Sequence, residues 1–208
     1  MTSQFGEDQR LWSVLSHIEG GRYIDVGAAH PVNASISYSF YQRGWRGITV
    51  EPVTEYADLH GQVRPGDFLF EGAIGPEGAT TLHAFPGTGL STLIEEFARR
   101  HAAAGHQLQE RAVMALPLSK VIAAAGWVPG DDIHFMTVDV EGSERQVFDS
   151  FPLDEWMPWY VVVEATEPLT TIPALGYEPT LERAGYRLNL QEGVNRFYRA
   201  PGRPPIAA

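Results

Sequence analysis

Short uninterrupted runs of apolar residues, many of them β-branched, recur along the chain, and each run ends in an acid or a glycine. Such runs are typical of strands that are buried on both faces of a parallel sheet. We predict five of them, at residues 22–26, 47–51, 68–74, 134–140 and 159–165. Two further runs, at residues 186–190 and 196–199, flank the turn sequence QEG and predict an antiparallel hairpin at an edge of the sheet.

Between these strands, apolar residues recur at helical spacing, which predicts helices on both faces of the sheet. The predicted helices span residues 8–19, 33–43, about 91–104, 117–126 and 141–151. Thr92 and Glu95 have the spacing of a capping box for the third helix, with Ser91 as an alternative cap. The alternation of strands and helices predicts a doubly wound α/β fold with a mostly parallel seven-stranded sheet.

The chain of 208 residues is expected to form a single domain, residues 1–208. More than fifty residues separate the third and fourth predicted strands, and a plain crossover needs far fewer. We therefore predict an inserted segment at about residues 79–116, with short strands near 80–85 and 111–116. Two interpretations of this segment remain open: a lid or acceptor-recognition element, and a structural embellishment.

Composition narrows the class of protein. With 44% hydrophobic and 20% charged residues, the chain can bury a sizeable core. The balance of 15 Lys and Arg against 26 Asp and Glu gives a net charge of −11, which disfavours nucleic acid and anionic lipid as partners. The absence of cysteine excludes disulfides and thiolate chemistry, and no segment has the pattern of a leader or a membrane span. We expect a cytoplasmic protein.

Acids and glycines concentrate at the ends of the predicted strands, where open parallel sheets bind their ligands. Asp25 lies near the end of the first strand and Gly27 follows that strand. Glu51 follows Gly27 at close to the roughly 20-residue spacing that places an acid on ribose hydroxyls. A dinucleotide fingerprint needs further glycines, but Ala28 and His30 occupy this stretch. The loop therefore suits a ligand with an amine and no phosphates, such as S-adenosylmethionine (SAM). The alternative is that both acids are structural.

A second group of acids follows the fourth and fifth strands. Asp139 and Glu164 end these strands and Glu141 lies close behind, so their carboxylates are expected to converge. Oxygen ligands of this kind are what Mg²⁺ prefers, and they also hydrogen-bond sugar hydroxyls. We therefore predict either a divalent metal site at Asp139 and Glu164, with Glu141 as a further ligand, or direct contacts to a sugar. The alternative is that these acids cap helices and pair with Arg145 or Lys120.

Four segments of the chain together resemble the FkbM family of SAM-dependent methyltransferases: YIDVGAAHP, SISYSFYQRGWRGITVEP, FMTVDVEGSE and VVVEA. The opening SQFGED also matches, so the resemblance extends from Ser3 to about Ala165. It implies a Rossmann-like class I methyltransferase fold and methylation of a hydroxyl oxygen, most often on a sugar, glycan or polyketide. Many relatives carry Asp-Pro where this chain has His30-Pro31, so the resemblance implies no role for His30.

The resemblance also implies which residues bind the cofactor. They are Asp25, Gly27 and Ala28 at the methionine end, Glu51 at the ribose, and Ala73 with Ile74 at the adenine. In the opening segment, Gln4 and Asp8 are further candidate contacts.

Methylation of a hydroxyl calls for a general base. The candidates, in order of preference, are Glu141, His30, His83 and Asp139. Aromatic side chains that could stack on a sugar ring are Tyr38, Tyr41, Trp45, Trp127 and Trp159, although each is individually more typical of a core.

The predicted function is a SAM-dependent O-methyltransferase that acts on a saccharide hydroxyl in a glycan, polysaccharide or glycolipid precursor, for example of the methylmannose type. Three alternatives remain: methylation of a polyketide or other natural-product hydroxyl, a nicotinamide-dependent oxidoreductase, and a non-catalytic cofactor-binding module. The inserted segment and the terminal hairpin are the surfaces that would serve a homodimer.

Overall fold

A computed structural model describes residues 3–165 and 176–207 of the chain. The strands in these residues are β1 (Arg22–Val26), β2 (Arg46–Val50), β3 (Phe68–Phe70), β4 (Ala73–Ile74), β5 (Gly78–Ala84), β6 (Gln109–Leu116), β7 (Phe135–Val138), β8 (Tyr160–Glu164), β9 (Arg187–Glu192) and β10 (Asn195–Arg199). The helices are α1 (Glu7–Leu15), α2 (Tyr38–Tyr41), α3 (Thr54–Val63), α4 (Glu95–Ala103), α5 (Leu118–Ala124), α6 (Glu144–Asp149) and α7 (Glu178–Arg183). None of the helices described in these two ranges is long and apolar enough to cross a membrane.

Seven strands form the main sheet in the order β3-β2-β1-β7-β8-β10-β9. The first five run parallel to their neighbours, whereas β10 is antiparallel to both β8 and β9. This confirms the predicted doubly wound, mostly parallel sheet with a C-terminal antiparallel hairpin. The chain continues from β1 to one side and returns to β7 on the other, so the strand order switches between these two strands. Ligands of open α/β sheets bind at such a switch point.

Side chains of the central strands alternate between two cores, as strand geometry requires. Ile24 and Met136 pack on the face that is covered by α5, α6 and α7. Tyr23 and Phe135 pack on the opposite face, which is covered by α1 and α2. Because both faces are buried, the strands can be apolar throughout, which is why they were recognisable in the sequence.

The predicted strand at residues 68–74 is in fact two strands in two sheets, so this prediction was wrong. β3 ends the main sheet, whereas β4 belongs to a three-stranded sheet in the order β4-β6-β5. The chain bends at Gly72, whose N–H donates to the carbonyl of Glu51 at 3.2 Å. A Cβ at Gly72 would lie 2.6 Å from the carbonyl oxygen of Met114, so the small sheet packs too closely for a side chain there.

Most predicted helices are present with shorter bounds, but residues 33–43 contain only the single turn α2. Two local features interrupt the predicted helix. Ser37 donates to the carboxylate of Asp25, and Ala34 has a left-handed φ of +60°. The capping box at Thr92 is also wrong, because α4 begins at Glu95 after an extended Ile94 without a side-chain cap.

Candidate active site

A cavity of about 580 Å³ opens at the carboxyl ends of β1, β7 and β8, beside the switch point. The carboxylates of Asp25, Asp139, Glu141 and Glu164 line it, and its described lining includes no lysine or arginine. Acids concentrated in a cleft produce a negative potential that attracts cations. The site therefore suits a positively charged ligand and disfavours one with phosphates.

The loop after β1 lines this cavity, and the conformation of the loop depends on Gly27. Gly27 has a φ of +79°, and its N–H and that of Ala28 both donate to the carbonyl of Val50 at 3.0 Å. A Cβ at this position would lie only 1.7 Å from the carbonyl oxygen of Asp139. Glycine is therefore required both by the left-handed backbone and by the contact between the β1 and β7 loops.

Asp25 is buried and held from two sides. Its carboxylate accepts a hydrogen bond from Thr137 Oγ1 at 2.7 Å and another from the hydroxyl of Ser37. Ser37 Oγ in turn accepts from Arg64 Nη2 at 2.8 Å, and Arg64 pairs with Asp67 at 2.9 Å. This network fixes the orientation of the Asp25 carboxylate at the cavity wall.

Glu51, at the end of β2, is almost completely buried. Its two carboxylate oxygens accept hydrogen bonds from the N–H groups of Ala29 and Val53, each at 2.7 Å. Burial raises the pKa of Glu51 to about 7, although these two hydrogen bonds oppose the shift. Each carboxylate oxygen has a second lone pair, so Glu51 can still accept hydrogen bonds from ligand hydroxyls.

A smaller, mainly apolar pocket adjoins the cavity next to Glu51. Ala73 and Ile74 line it together, so the structure brings the two predicted adenine residues beside the predicted ribose acid. Sequence reasoning missed several other residues of this wall, because they have no recognisable spacing: Tyr56, Leu82, Leu93 and Ser143. Thr92, which the sequence indicated only as a helix cap, also lines the pocket. The Ser143 hydroxyl is buried and has no hydrogen-bond partner among the described residues. It is thus available to a polar edge of a planar ligand.

The three acids predicted to converge do so, with carboxylate oxygens of Asp139, Glu141 and Glu164 all within 4.8 Å of one another. Asp139 is open to the water of the cavity, yet protein surrounds it on most sides. This crowding, with the charge of Glu164 and a hydrogen bond to it, raises the pKa of Asp139 well above its usual range. Burial and then the charge of Glu164 raise the pKa of Glu141 to about 7.

The basic partners considered for these acids lie elsewhere. Arg145 pairs with Asp149 at 3.2 Å and Lys120 pairs with Glu77 at 2.5 Å, so the pairing of the cluster with these cations was wrong. Either a divalent cation or a cationic organic ligand would relieve the repulsion within the cluster. Three carboxylate oxygens are a donor set that Mg²⁺ accepts, so the residues present fit such an ion.

The remaining candidates have different surroundings. His30 lines the cavity, but its Nδ1 accepts from the N–H groups of Val32 at 3.1 Å and Asn33 at 3.0 Å, which orders the loop. Gln4 also lines the cavity. Neither His83 nor Asp8 belongs to the lining of the two pockets. The same is true of the five candidate stacking aromatics, Tyr38, Tyr41, Trp45, Trp127 and Trp159.

Two solved structures with similar architecture are methyltransferases. A TehB-like SAM-dependent methyltransferase from Corynebacterium glutamicum is 9% identical, covers 94% of this chain and 88% of its own, and has a TM-score of 0.46. A precorrin-6y C5,15-methyltransferase from Geobacter metallireducens is 14% identical, covers 92% of this chain and 84% of its own, and also has a TM-score of 0.46. Comparison with curated proteins found no match.

Comparison with protein-family models gives a direct assignment. The model described as "Methyltransferase FkbM domain" matches residues 25–188, from Asp25 in β1 to the second residue of β9. The match includes the last two residues of β1, the other four parallel strands of the main sheet, the acid cluster and the predicted inserted segment. Since it covers well over half of the chain, the protein belongs to the FkbM family of methyltransferases.

Proposed function

We propose that the protein transfers the methyl group of SAM to a hydroxyl oxygen of a saccharide acceptor. The observation that carries the proposal is the position of Glu141, a carboxylate at the wall of an acidic cavity next to the predicted cofactor loop. The rest of that wall includes neutral hydrogen-bonding side chains, those of Gln4, Asn33, Ser35 and Thr88, which suit a neutral acceptor rich in hydroxyls. Hydroxyls of polyketides and other natural products remain the alternative acceptors.

The two adjoining pockets fit the parts of SAM in the order that the resemblance implies. The apolar pocket with Ala73 and Ile74 suits the adenine, Glu51 suits the ribose hydroxyls, and Asp25 at the cavity wall suits the ammonium end. When bound, SAM supplies a methyl group on a positively charged sulfur. The acidic lining favours that charge, whereas it would repel the pyrophosphate of a nicotinamide dinucleotide. This counts against the oxidoreductase alternative.

The chain's own task in the reaction is to orient the acceptor and remove its proton. A new C–O bond forms as the methyl–sulfur bond breaks, and the hydroxyl proton must pass to a base. We assign this proton to the carboxylate of Glu141, whose pKa of about 7 suits a base that works near neutral pH. Holding the hydroxyl close to the methyl group and in line with the breaking bond is the second contribution, made by the polar cavity wall.

Two measurements test the proposal. Isothermal titration calorimetry should show binding of SAM and S-adenosylhomocysteine (SAH), and no binding of NAD. Release of SAH should then be measured with a panel of methyl glycosides, hydroxyacyl thioesters and primary amines. We expect turnover with at least one methyl glycoside. Turnover with the thioesters alone would favour the natural-product alternative, and SAH binding without any turnover would favour the non-catalytic module.

The affinity for SAH is expected to depend on pH through Glu51. Because the pKa of Glu51 is about 7, its carboxyl is protonated below neutral pH and then accepts ribose hydroxyls poorly. The affinity should therefore fall as the pH is lowered through 7, by up to about tenfold per pH unit. In Glu51→Gln, SAH should bind weakly at all pH values, without this slope. A variant that keeps the parent's pH dependence would show that another group is responsible.

The metal site at Asp139 and Glu164 stays a prediction that can be tested separately. A divalent ion there would orient two acceptor oxygens and make the hydroxyl more acidic. If Mg²⁺ binds, excess EDTA should lower kcat/KM for the acceptor at least about tenfold, and added Mg²⁺ should restore it. A rate that is unchanged in EDTA would contradict the metal prediction and leave the assignment of Glu141 intact.

A further inference from the structure

The predicted inserted segment contacts the short loop that carries Glu141. The hydroxyl of Thr92 donates a hydrogen bond to the carbonyl oxygen of Glu141 at 2.7 Å. The ring of Phe97, on α4, lies against the backbone of Gly142, where a Cβ would be only 2.8 Å from its edge. Thus two residues of the inserted segment, Thr92 and Phe97, contact the backbone of the 141–142 loop.

The backbone conformation of Glu141 explains why this loop needs these contacts. Glu141 has a φ of +50°, a left-handed conformation that costs a residue with a side chain about 1–2 kcal/mol. Such a backbone persists only when its surroundings determine it, and the hydrogen bond from Thr92 is one such determinant. Thr92 is itself buried and fixed, because its hydroxyl accepts from the N–H of Ile94 at 3.0 Å and its backbone pairs with that of His83.

The same segment also contributes a group that faces the carboxylate of Glu141. His101, on α4, has its Nε2 at 4.0 Å from Glu141 Oε2. This nitrogen is buried and has no hydrogen-bond partner among the described residues. The imidazole packs edge-on against the ring of Phe85, with centroids 5.5 Å apart, which fixes its direction. A shift of about 1 Å would bring the two atoms within hydrogen-bond distance.

We propose that the inserted segment positions the catalytic carboxylate, with Thr92 holding the backbone of Glu141 and His101 orienting its side chain. The inference rests on the proposed function, because it takes Glu141 as the group that receives the acceptor proton. Thr92 and His101 are positioning residues, since they act through Glu141. On this proposal, the inserted segment is a functional element and not only a structural embellishment.

Hydrogen exchange followed by mass spectrometry tests the holding contact without any acceptor. In Thr92→Val, a nearly isosteric change that removes the hydroxyl, the backbone amides at 141–142 should exchange at least about fivefold faster than in the parent. Thr92→Ser should restore the parent's exchange. Thr54→Val is the matched control, because it removes a hydroxyl that donates to Glu71 at the same 2.7 Å but lies outside both pockets. Unchanged exchange in Thr92→Val would overturn the proposal.

A double-mutant cycle tests whether the contact acts through Glu141. With a methyl glycoside that the parent accepts, Thr92→Val and His101→Leu should each lower kcat about tenfold. His101 lies outside both pockets, so His101→Leu should change the Kd of SAH less than about twofold, whereas Thr92 also lines the apolar pocket. In the Glu141→Gln background, the same changes should lower kcat by less than about twofold. Equal losses in both backgrounds would show a merely structural role and overturn the proposal.

A wrong assignment of the base and a wrong assignment of the positioning residues give different results. If Glu141→Gln alone keeps the parent's kcat, the proposed base is wrong, and the exchange experiment still reports whether Thr92 holds the loop. If Glu141→Gln is impaired but Thr92→Val turns over like the parent, the base stands and the positioning role is overturned.

Discussion

Replacing Glu141 with glutamine is expected to lower kcat by at least about 100-fold, because a general base commonly contributes factors of 10²–10⁴. Glutamine keeps the size and the hydrogen-bonding shape of the side chain, but it cannot take the acceptor proton. The Kd of SAH should change less than threefold, since Glu51 and the apolar pocket lie apart from this carboxylate. SAH release with a methyl glycoside and calorimetry with SAH measure the two quantities.

The stability of Glu141→Gln provides an internal check on folding. The raised pKa of Glu141 means that its ionised form, which predominates above about pH 7, is disfavoured in the folded protein by burial and by Glu164. Removing this charge should therefore raise the melting temperature near pH 8 and leave it nearly unchanged near pH 4, below the ordinary pKa of 4.5, where the parent carboxyl is largely protonated in both the folded and the unfolded state. An inactive variant with an undiminished melting temperature cannot be explained by unfolding.

Glu110→Gln is the matched control for this experiment. Glu110 belongs to β6 of the inserted segment, is exposed, and faces His83 at 3.9 Å outside both pockets. It should keep the parent's kcat within about twofold. If Glu141→Gln also remained within about fivefold of the parent, the base would have to be sought in Asp139 or His30.

The sequence predicted the main sheet and the acid cluster for one physical reason. Strands buried on both faces must be apolar throughout, so residues 134–140 and 159–165 were recognisable without any tertiary information. Once the strands were placed, parallel pairing put their carboxyl ends at one edge, and Asp139 had to approach Glu164. The 4.8 Å spacing within the cluster is the geometric outcome of that register.

Predictions from local sequence patterns were wrong where a side chain binds a residue that is far away along the chain. Thr92 has the spacing of a helix cap, but its hydroxyl binds the carbonyl of Glu141, 49 residues away in the chain. Ser37 lies in a pattern that predicts a helix, but it binds Asp25 and Arg64 instead. Neither partner is visible in a single sequence, because each depends on how the inserted segment or the loop packs against the sheet.

For the same reason, only part of the site was predictable. Asp25, Glu51 and Glu164 lie at or next to the ends of strands and were predicted from their position along the chain. Ser143 lies in the wall of the apolar pocket and His101 lies on α4 of the inserted segment. Neither could be predicted in this way, because residues of a pocket wall or of an inserted helix have no fixed spacing to the strand ends.

The largest structural effect is expected from Gly27→Ala, which should lower the free energy of unfolding by more than about 3 kcal/mol and abolish measurable SAH binding. Two costs add at this position. Alanine is strained at a φ of +79°, and its Cβ would lie 1.7 Å from the carbonyl oxygen of Asp139. The β1 and β7 loops must then separate, which displaces both Asp25 and Asp139 from the cavity wall. Urea unfolding and calorimetry with SAH measure the two effects.

Gly44→Ala separates these two costs. Gly44 has a similar φ of +87°, but a Cβ there would meet nothing within 4 Å. Its substitution should therefore cost only the backbone strain, about 1–2 kcal/mol, and leave the Kd of SAH unchanged. Nearly equal destabilisation of the two variants would contradict the close approach of the β1 and β7 loops. A much larger effect at Gly27 means that this part of the cavity depends on the contact, because the β1 loop can approach Asp139 only without a side chain at position 27.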